Sequence, residues 1–141
     1  MNKVYNFIMN DYTTILREHN LKATPQRLEM TNALFMNGHV TIERLYELML
    51  KKFSSISLAT IYKNINLMLE ASFIEEVKLP NAKSVYELTK ETHSHLLCSK
   101  CDKVQDIVLN LTDVTRRASN AANFNISKTD LVLSGLCENC S

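Results

Sequence analysis

The sequence predicts an α+β protein with two unlike parts: an N-terminal helical domain that ends in a β-hairpin, and a smaller α/β domain with a four-cysteine zinc site. Three observations support this. Apolar residues recur at helical spacing through roughly the first 70 residues, two short β-like runs follow, and all four cysteines lie after residue 97. We place the domain boundary so that residues 1–89 form the first domain and residues 90–141 the second.

The composition excludes several classes of protein. With 45% hydrophobic and 22% charged residues, the chain is typical of a globular protein. No apolar run approaches the ~18 residues of a membrane span, and the first twelve residues interrupt their apolar positions with asparagines, which makes a poor signal peptide. We therefore expect a cytoplasmic protein. The net charge of +1 lacks the basic excess of many DNA-binding proteins, so a DNA-binding function must depend on particular residues.

Four helices are predicted in the first domain. Thr24, Thr41 and Ser57 are placed to cap the second, third and fourth helices. Pro25 fits the first position of the second helix, and Gly38 ends it. The apolar residues expected on the core faces are Ile8, Tyr12, Ile15 and Leu16 in the first helix, Leu28, Leu34 and Phe35 in the second, Leu45, Leu48 and Met49 in the third, and Leu58, Ile61, Ile65, Met68 and Leu69 in the fourth.

A β-hairpin is predicted directly after the fourth helix. Residues 73–78 and 84–88 are β-like and are joined by a turn signal at 79–82. A helical trio followed by a hairpin is the shape of a winged helix-turn-helix, whose recognition helix enters the major groove of DNA. After a linker at 90–92, the remaining expected elements are a strand from residue 93, a strand at 104–109, a helix near 111–123 and a strand near 131–136.

The four cysteines form two Cys-x-x-Cys pairs, Cys98 with Cys101 and Cys137 with Cys140. In a reducing compartment this spacing favours metal over disulfides. Four thiolates suit the tetrahedral geometry of zinc and leave no open position, so the predicted zinc is structural. The alternative is a pair of redox-active thiol motifs.

A second group of residues offers nitrogen and oxygen ligands without sulfur. His93 and His95 point to the same face of an extended chain, and Asp106 lies in an apolar strand, where a lone carboxylate is costly unless it is paired or bound to metal. Glu87 ends the hairpin, and His39 lies between the second and third helices. Such ligands suit Fe(II), Mn(II) or Zn(II). The alternative is a set of surface histidines near acids.

The predicted recognition helix begins at Ser57 and carries polar residues away from its core face. Thr and Ala can touch thymine methyls, Asn can read adenine, and Tyr or Lys can hold phosphate. The candidate DNA-binding residues are Ala59, Thr60, Tyr62, Lys63 and Asn64, with Lys22 and Arg27 at the start of the second helix. The alternative is the solvated face of an ordinary helical bundle.

Four segments together make the chain resemble the ferric uptake regulator (Fur) family over nearly its whole length. They are residues 21–27 (LKATPQR), 57–64 (SLATIYKN), 93–101 (HSHLLCSKC) and 135–140 (GLCENC). The resemblance implies a winged-helix DNA-binding domain, a hinge and a C-terminal dimerisation domain. It also implies a homodimeric repressor that binds an AT-rich inverted repeat when loaded with metal.

The same resemblance implies that His39, Glu87, His93, His95 and Asp106 form a regulatory metal site at the domain junction. Metal bound there would close the hinge and set the spacing of the two recognition helices. Aspartate at position 106 is typical of peroxide-sensing (PerR) members, whereas glutamate at position 87 is less so. Ser94 and Thr129 stand where iron sensors carry ligands of a further site.

The predicted signal is therefore peroxide. In this interpretation Fe(II) at the regulatory site reacts with hydrogen peroxide and a ligating histidine, His39 or His93, is oxidised, so that the repressor leaves DNA. The protein is consumed rather than turned over and is not an enzyme. The first alternative is an iron-responsive Fur repressor of iron uptake genes. Less favoured are a thiol-disulfide oxidoreductase, which would need one exposed low-pKa cysteine pair, and a zinc-stabilised protein-interaction module.

Overall fold

The computed structural model describes the backbone of residues 3–141 and the side chains from Asp11 onward. It divides into two compact units. The first contains the described residues up to Lys78 together with Lys83–Lys90, and the second contains Leu79–Ala82 and Glu91–Ser141. Helices dominate the first unit and a small sheet the second, so the expected α+β class is confirmed. Within the described residues, no helix is long and apolar enough to cross a membrane.

The first unit begins with four helices whose starts follow the predicted capping signals. The side-chain oxygens of Thr24, Thr41 and Ser57 each accept a hydrogen bond from the backbone N–H three residues later, which satisfies a donor that has no partner within the helix. Gly38 ends the second helix at a φ of 75°, in a region that favours glycine. The elements are α1 (Lys3–Glu18), α2 (Pro25–Asn37), α3 (Ile42–Leu50), α4 (Leu58–Glu70), β1 (Ile74–Val77) and β2 (Val85–Leu88).

The core of this unit is a single cluster of apolar side chains from all four helices and the first strand. Its largest fully buried members are Leu16, Met30, Leu34, Leu45, Met49, Ile61, Ile65, Met68 and Ile74. The expectation was wrong for three residues. Ile15 is 38% exposed and Phe35 54% exposed, because Leu16 and Leu34 occupy the inward positions next to them; Leu58, 41% exposed, is the first residue of α4. The Ile8 side chain lies outside the described residues.

The predicted hairpin is confirmed, and it acquires a short third partner. Strands β1 and β2 pair antiparallel, with Ile74 opposite Leu88. Val40, just before α3, forms an isolated bridge with Tyr86: each backbone N–H donates to the other residue's carbonyl, at 3.1 and 2.8 Å. This bridge fixes the loop after α2 against β2. The helices and hairpin together have the arrangement of a winged helix-turn-helix.

The second unit is a three-stranded sheet with one helix. Its elements are β3 (Ser94–Cys98), β4 (Val104–Ile107), α5 (Thr112–Ala122) and β5 (Val132–Gly135). The strand order is β4-β3-β5, with β4 antiparallel and β5 parallel to β3. A parallel pair needs a long crossover connection, which the segment containing α5 supplies. The register places His95 opposite Asp106 and Cys98 opposite Gly135.

Candidate metal centres and nucleic-acid interface

The parallel pairing of β3 and β5 brings the two Cys-x-x-Cys motifs together. Cys98 ends β3, opposite the last residue of β5, and Cys137 follows two residues later. Each motif turns back on itself: the Asp102 N–H donates to the Cys98 carbonyl at 2.9 Å and the Cys140 N–H to the Cys137 carbonyl at 3.0 Å. The predicted cluster of four cysteines is therefore assembled within the second unit.

The distances among the sulfurs fit zinc and exclude disulfides. All four cysteines are free, and their Sγ atoms lie within 4.8 Å of one another. The Cys101 and Cys137 sulfurs are 3.8 Å apart, whereas a disulfide measures about 2.05 Å. Zn–S bonds of about 2.3 Å in a tetrahedron place neighbouring sulfurs roughly 3.8 Å apart. A structural Zn²⁺ is the cofactor that matches this cluster, and four thiolates leave no position for a catalytic water.

The local electrostatics also favour a cation at this cluster. Backbone N–H groups of Cys137, Cys101 and Lys100 lower the pKa of Cys98 to about 6, because hydrogen bonds to sulfur stabilise the thiolate. The Cys137 N–H lies 3.4 Å from the Cys98 sulfur. Hydrogen bonding to the neighbouring sulfur of Cys137, followed by burial, raises the pKa of Cys140 to about 12. Four adjacent sulfurs cannot all ionise without a counter-charge, which a bound metal supplies.

Three of the five predicted nitrogen and oxygen ligands meet in the second unit. The Nε2 atoms of His93 and His95 lie 3.6 and 3.4 Å from one oxygen, Oδ1 of Asp106. The two imidazole rings have centroids 4.6 Å apart. The Nδ1 of His93 lies 2.7 Å from the Glu91 carbonyl, which makes Nδ1 the protonated nitrogen and turns Nε2, the nitrogen that would bind a metal, toward Asp106. Two histidines and one carboxylate are the ligand set typical of non-haem Fe(II).

The other two predicted ligands, His39 and Glu87, meet in the first unit. The His39 Nε2 lies 2.7 Å from Oε2 of Glu87, whose side chain is only 1% exposed. The Val40–Tyr86 bridge accounts for this pair, because it aligns the residues that precede and follow it. Lys90, which was not among the predicted residues, places its Nζ 3.9 Å from the same oxygen. No sequence signal identified it, because residues three apart face each other on a helix and Glu87 lies on strand β2.

The predicted DNA-binding residues lie at the start of α2 and along α4, and they differ in exposure. Lys22, Ala59, Tyr62 and Lys63 are exposed, Arg27 and Thr60 are half-buried, and Asn64 is buried. Tyr62, 47% exposed, and Lys63 are free to reach a phosphate, whereas the Thr60 hydroxyl lies 2.9 Å from the Ser57 hydroxyl at the helix cap.

Asn64 differs from the expected exposed base reader. It is only 8% exposed, and its amide is engaged at both ends. The oxygen Oδ1 accepts a hydrogen bond from Arg27 Nε at 3.0 Å, and Nδ2 donates to the Thr60 carbonyl at 2.9 Å. A buried amide in two such bonds could turn to an adenine only by leaving a partner unpaired, which costs free energy. The periodicity of α4 could not reveal this contact with another helix.

The model of the ferric uptake regulator family matches residues 18–134. The chain belongs to the ferric uptake regulator family. It is 28% identical to the peroxide-responsive repressor PerR of Staphylococcus saprophyticus over 134 residues, which cover 94% of this chain and 90% of that protein. The family predicted from the sequence is confirmed.

Two solved structures have the same fold. The Campylobacter jejuni peroxide stress regulator is 31% identical, covers 90% of this chain and 97% of its own, and superposes with a TM-score of 0.67. The Vibrio cholerae ferric uptake regulator is 26% identical, covers 89% and 99%, and gives a TM-score of 0.73. The chain is thus a metal-dependent DNA-binding repressor of this family. The comparisons favour peroxide sensing over the iron-responsive alternative.

Proposed function

We propose that this protein is a peroxide-sensing repressor whose regulatory Fe(II) or Mn(II) ion controls binding to an operator. The observation that carries the proposal is the convergence of His93 and His95 on Asp106. One carboxylate oxygen lies within 3.6 Å of both imidazole Nε2 atoms, and a metal ion is the ligand that such a triad fits. The carboxylate at this position is the aspartate typical of the peroxide-sensing branch, and the ligands are hard enough to hold Mn(II) as well as Fe(II).

Regulation requires that the ion couple the two domains. We propose that His39 and Glu87 from residues 1–89 join His93, His95 and Asp106 from residues 90–141 on one ion. The first domain binds DNA, and the second dimerises and holds metal. An ion that needs ligands from both domains favours the hinge position in which they meet, so it shifts the population toward one arrangement of the recognition helices. DNA binding would then depend on metal without direct contact between metal and DNA.

The chain's own part in the response is to hold an oxidisable ring next to the ion. Bound Fe(II) supplies the electron that activates hydrogen peroxide. In the overall reaction one oxygen atom is added to the imidazole of His39 or His93 and one molecule of water is released. An oxidised ring is a weaker ligand, so the two domains lose their common attachment and the repressor leaves DNA. The Glu91 carbonyl accepts from Nδ1 of His93 and turns Nε2 toward Asp106, which places this ring next to the position of a bound ion.

The operator and the assembly follow from the same proposal. Exposed apolar side chains of the second unit, among them Val108, Val114 and Leu133, are suited to contact with a second copy. A two-fold symmetric dimer reads an inverted repeat with one recognition helix in each half-site. We propose an AT-rich inverted repeat as the operator and the cytoplasm, where such DNA lies, as the place of action.

The test combines mass spectrometry with DNA binding. A duplex would first be selected from a random pool by the Mn(II)-loaded protein. The Fe(II)-loaded protein would then receive a brief micromolar pulse of peroxide. We expect one added oxygen atom on the peptide that holds His39 or His93, together with loss of duplex binding. His19 is a matched control, because its Nδ1 lies 2.8 Å from the Ile15 carbonyl, far in sequence from the predicted ligands.

Each outcome of this experiment decides between named alternatives. Oxidation restricted to His39 or His93, absent from Mn(II)-loaded protein, supports peroxide sensing. Duplex binding that depends on Fe(II) but survives peroxide without oxidation would favour the iron-responsive alternative. Oxidation of His19 to the same extent would indicate non-specific damage. If no duplex is selected under any metal condition, the DNA-binding function itself fails.

A further inference from the structure

Arg27 of α2 and Asn64 of α4 form a side-chain pair to which the proposed function assigns no separate roles. Arg27 is bonded once through its backbone and twice through its side chain. Its backbone N–H donates to the Thr24 cap at 3.3 Å, its Nε to Asn64 Oδ1 at 3.0 Å, and its Nη1 to the Lys22 carbonyl at 3.1 Å. A long side chain that is exposed at its end ordinarily samples many rotamers, and fixing it costs free energy. In this protein the side chain is already fixed by folding before any ligand binds.

The amide of Asn64 can adopt only one orientation. Its oxygen faces a donor, Arg27 Nε, and its nitrogen faces an acceptor, the Thr60 carbonyl. A flipped amide would set NH₂ against N–H and oxygen against oxygen. Aspartate at position 64 would keep the first bond but turn an oxygen toward the Thr60 carbonyl. Asparagine therefore serves both partners where no other residue of its size does.

The guanidinium keeps donors for a ligand after these contacts are made. An arginine has five N–H groups, and in the part of the chain that the structure describes Asn64 and the Lys22 carbonyl use two of them. The remaining group is planar, permanently charged and suited to phosphate. It lies at the N-terminal turn of α2, where the partial positive charge of the helix adds to the attraction for an anion.

We infer that Asn64 is a positioning residue that holds Arg27 ready to bind a phosphate of the DNA backbone, and that it does not read a base. The inference rests on the proposed DNA-binding function and deepens it. The bond between Arg27 and Asn64 joins α2 to α4, so the recognition helix and the phosphate-binding arginine move together. A preorganised donor binds more tightly than a mobile one because less freedom is lost on binding.

Loss of a base contact and loss of a phosphate contact produce different binding defects. Removal of an asparagine that reads a base weakens binding to the selected operator and leaves binding to non-specific DNA unaffected, since base contacts carry the sequence information. Removal of a residue that positions a phosphate contact weakens binding to both kinds of DNA to a similar degree and lowers the salt dependence of binding. Asn64→Ala therefore distinguishes the two roles in one comparison of a selected and a scrambled duplex.

The experiment is a double-mutant cycle on the full-length Mn(II)-loaded protein. Dissociation constants would be measured for the selected and the scrambled duplex over a range of salt concentrations, with wild type, Asn64→Ala, Arg27→Ala and the double variant. We expect Arg27→Ala to weaken both duplexes by roughly tenfold and to reduce the salt slope by about 1. Asn64→Ala should weaken both by about three- to tenfold, and by less than about twofold in the Arg27→Ala background.

Two controls keep the result free of general effects on folding and charge. Asn37→Ala is matched, because the Asn37 amide also donates to the carbonyl four residues earlier, Ala33, at 2.8 Å, without an arginine partner; its binding should stay at the wild-type value. Arg17→Ala removes the same charge from α1. If Asn64→Ala is unstable, the NMR signals of the Asn64 side-chain amide in Arg27→Ala still report the contact, and they should shift and broaden.

The outcomes are distinct. Additive losses in the cycle, or an unchanged Asn64 amide signal in Arg27→Ala, would overturn the positioning role. A loss confined to the selected duplex would return Asn64 to base reading. Equal losses in Arg17→Ala and Arg27→Ala would show that bulk charge accounts for the effect. If wild type binds neither duplex, the proposed function has failed rather than this inference.

Discussion

The two units of this chain are stabilised by different means. In the first unit a cluster of fifteen buried apolar residues draws on all four helices and the hairpin. In the second, the buried apolar residues are Leu97 and Cys98, and helix α5 has no buried residue. Val108, Val114 and Phe124 are more than 60% exposed there. The first unit thus has the core of a small independent domain, and the second does not.

This difference indicates where each domain gets its stability. A segment of about 50 residues that buries few side chains needs a metal, a disulfide or a partner subunit. The cysteine cluster supplies the metal site, and in the proposed function the exposed apolar residues supply a surface for a second copy. In the proposed function the zinc also supports regulation, because Cys98 ends β3 and the β3–β4 pair carries His93, His95 and Asp106. We therefore expect perturbations to affect the two units very unequally.

Removal of zinc should have the largest effect. A structural zinc contributes on the order of 10 kcal/mol to folding, so the combination of Cys140→Ser with a chelator should unfold the second unit while α1 to α4 stay folded. Hydrogen exchange measured by mass spectrometry would show loss of protection in β3 to β5 alone. Ser99→Ala, which removes only a bond to the Gly135 carbonyl, is the control that should retain its zinc. Persistent protection of β3 in zinc-free protein would refute this account.

A cavity in the core of the first unit should have the second-largest effect on stability, and it should destabilise that unit. Leu45 is 0% exposed, and Leu45→Ala should lower the free energy of unfolding by about 2–5 kcal/mol without loss of zinc. Met36→Ala, at a residue 70% exposed on α2 of the same unit, should change it by less than about 0.5 kcal/mol. Urea denaturation with parallel zinc analysis measures both effects. Zinc loss in Leu45→Ala at moderate urea would mean that the two units unfold together.

A charge on the exposed surface of the second unit should have a smaller effect on folding and a larger one on assembly. Val114→Asp places a carboxylate on α5, where the wild-type side chain is 62% exposed in the single chain. We expect the dimer to dissociate at least about tenfold more readily, as measured by analytical ultracentrifugation. Arg117→Asp, on the same helix at a side chain 78% exposed, is the comparison. Unchanged dissociation in Val114→Asp would mean that α5 lies outside the interface.

The same contrast explains what the sequence could and could not predict. Helix starts were predictable because Thr24, Thr41 and Ser57 act through backbone groups three residues away. The cysteine cluster was predictable because its spacing is itself the signal. Contacts between distant elements were not. The bridge of Val40 with Tyr86 and the bond of Arg27 with Asn64 join residues whose local sequence gives no sign of a partner. The exposure of Phe35 and Leu58 likewise depends on how their helices pack against the core, which the local sequence does not show.

The smallest expected effect concerns a surface ion pair in the first unit. Lys83 Nζ lies 3.0 Å from Glu43 Oε1, with both side chains more than half exposed. The hydrogen bond from Lys83 holds the pKa of Glu43 below its usual value of 4.5. A lowered carboxyl pKa contributes stability above the unfolded pKa that disappears as the pH falls through the folded one. The pair is exposed, so Lys83→Ala should cost only about 0.2–1 kcal/mol at neutral pH.

The pH and salt dependence of this small difference can be measured by thermal unfolding of wild type and Lys83→Ala. The two proteins should differ at pH 7 and converge at a pH well below 4.5, where Glu43 is protonated. The difference at pH 7 should also shrink in high salt, because exposed charges are screened. A difference that persists at low pH would show that the Lys83 side chain stabilises the hairpin through its methylenes rather than its charge. Such a result would mean that apolar packing, rather than ion pairing, stabilises the hairpin next to Lys83.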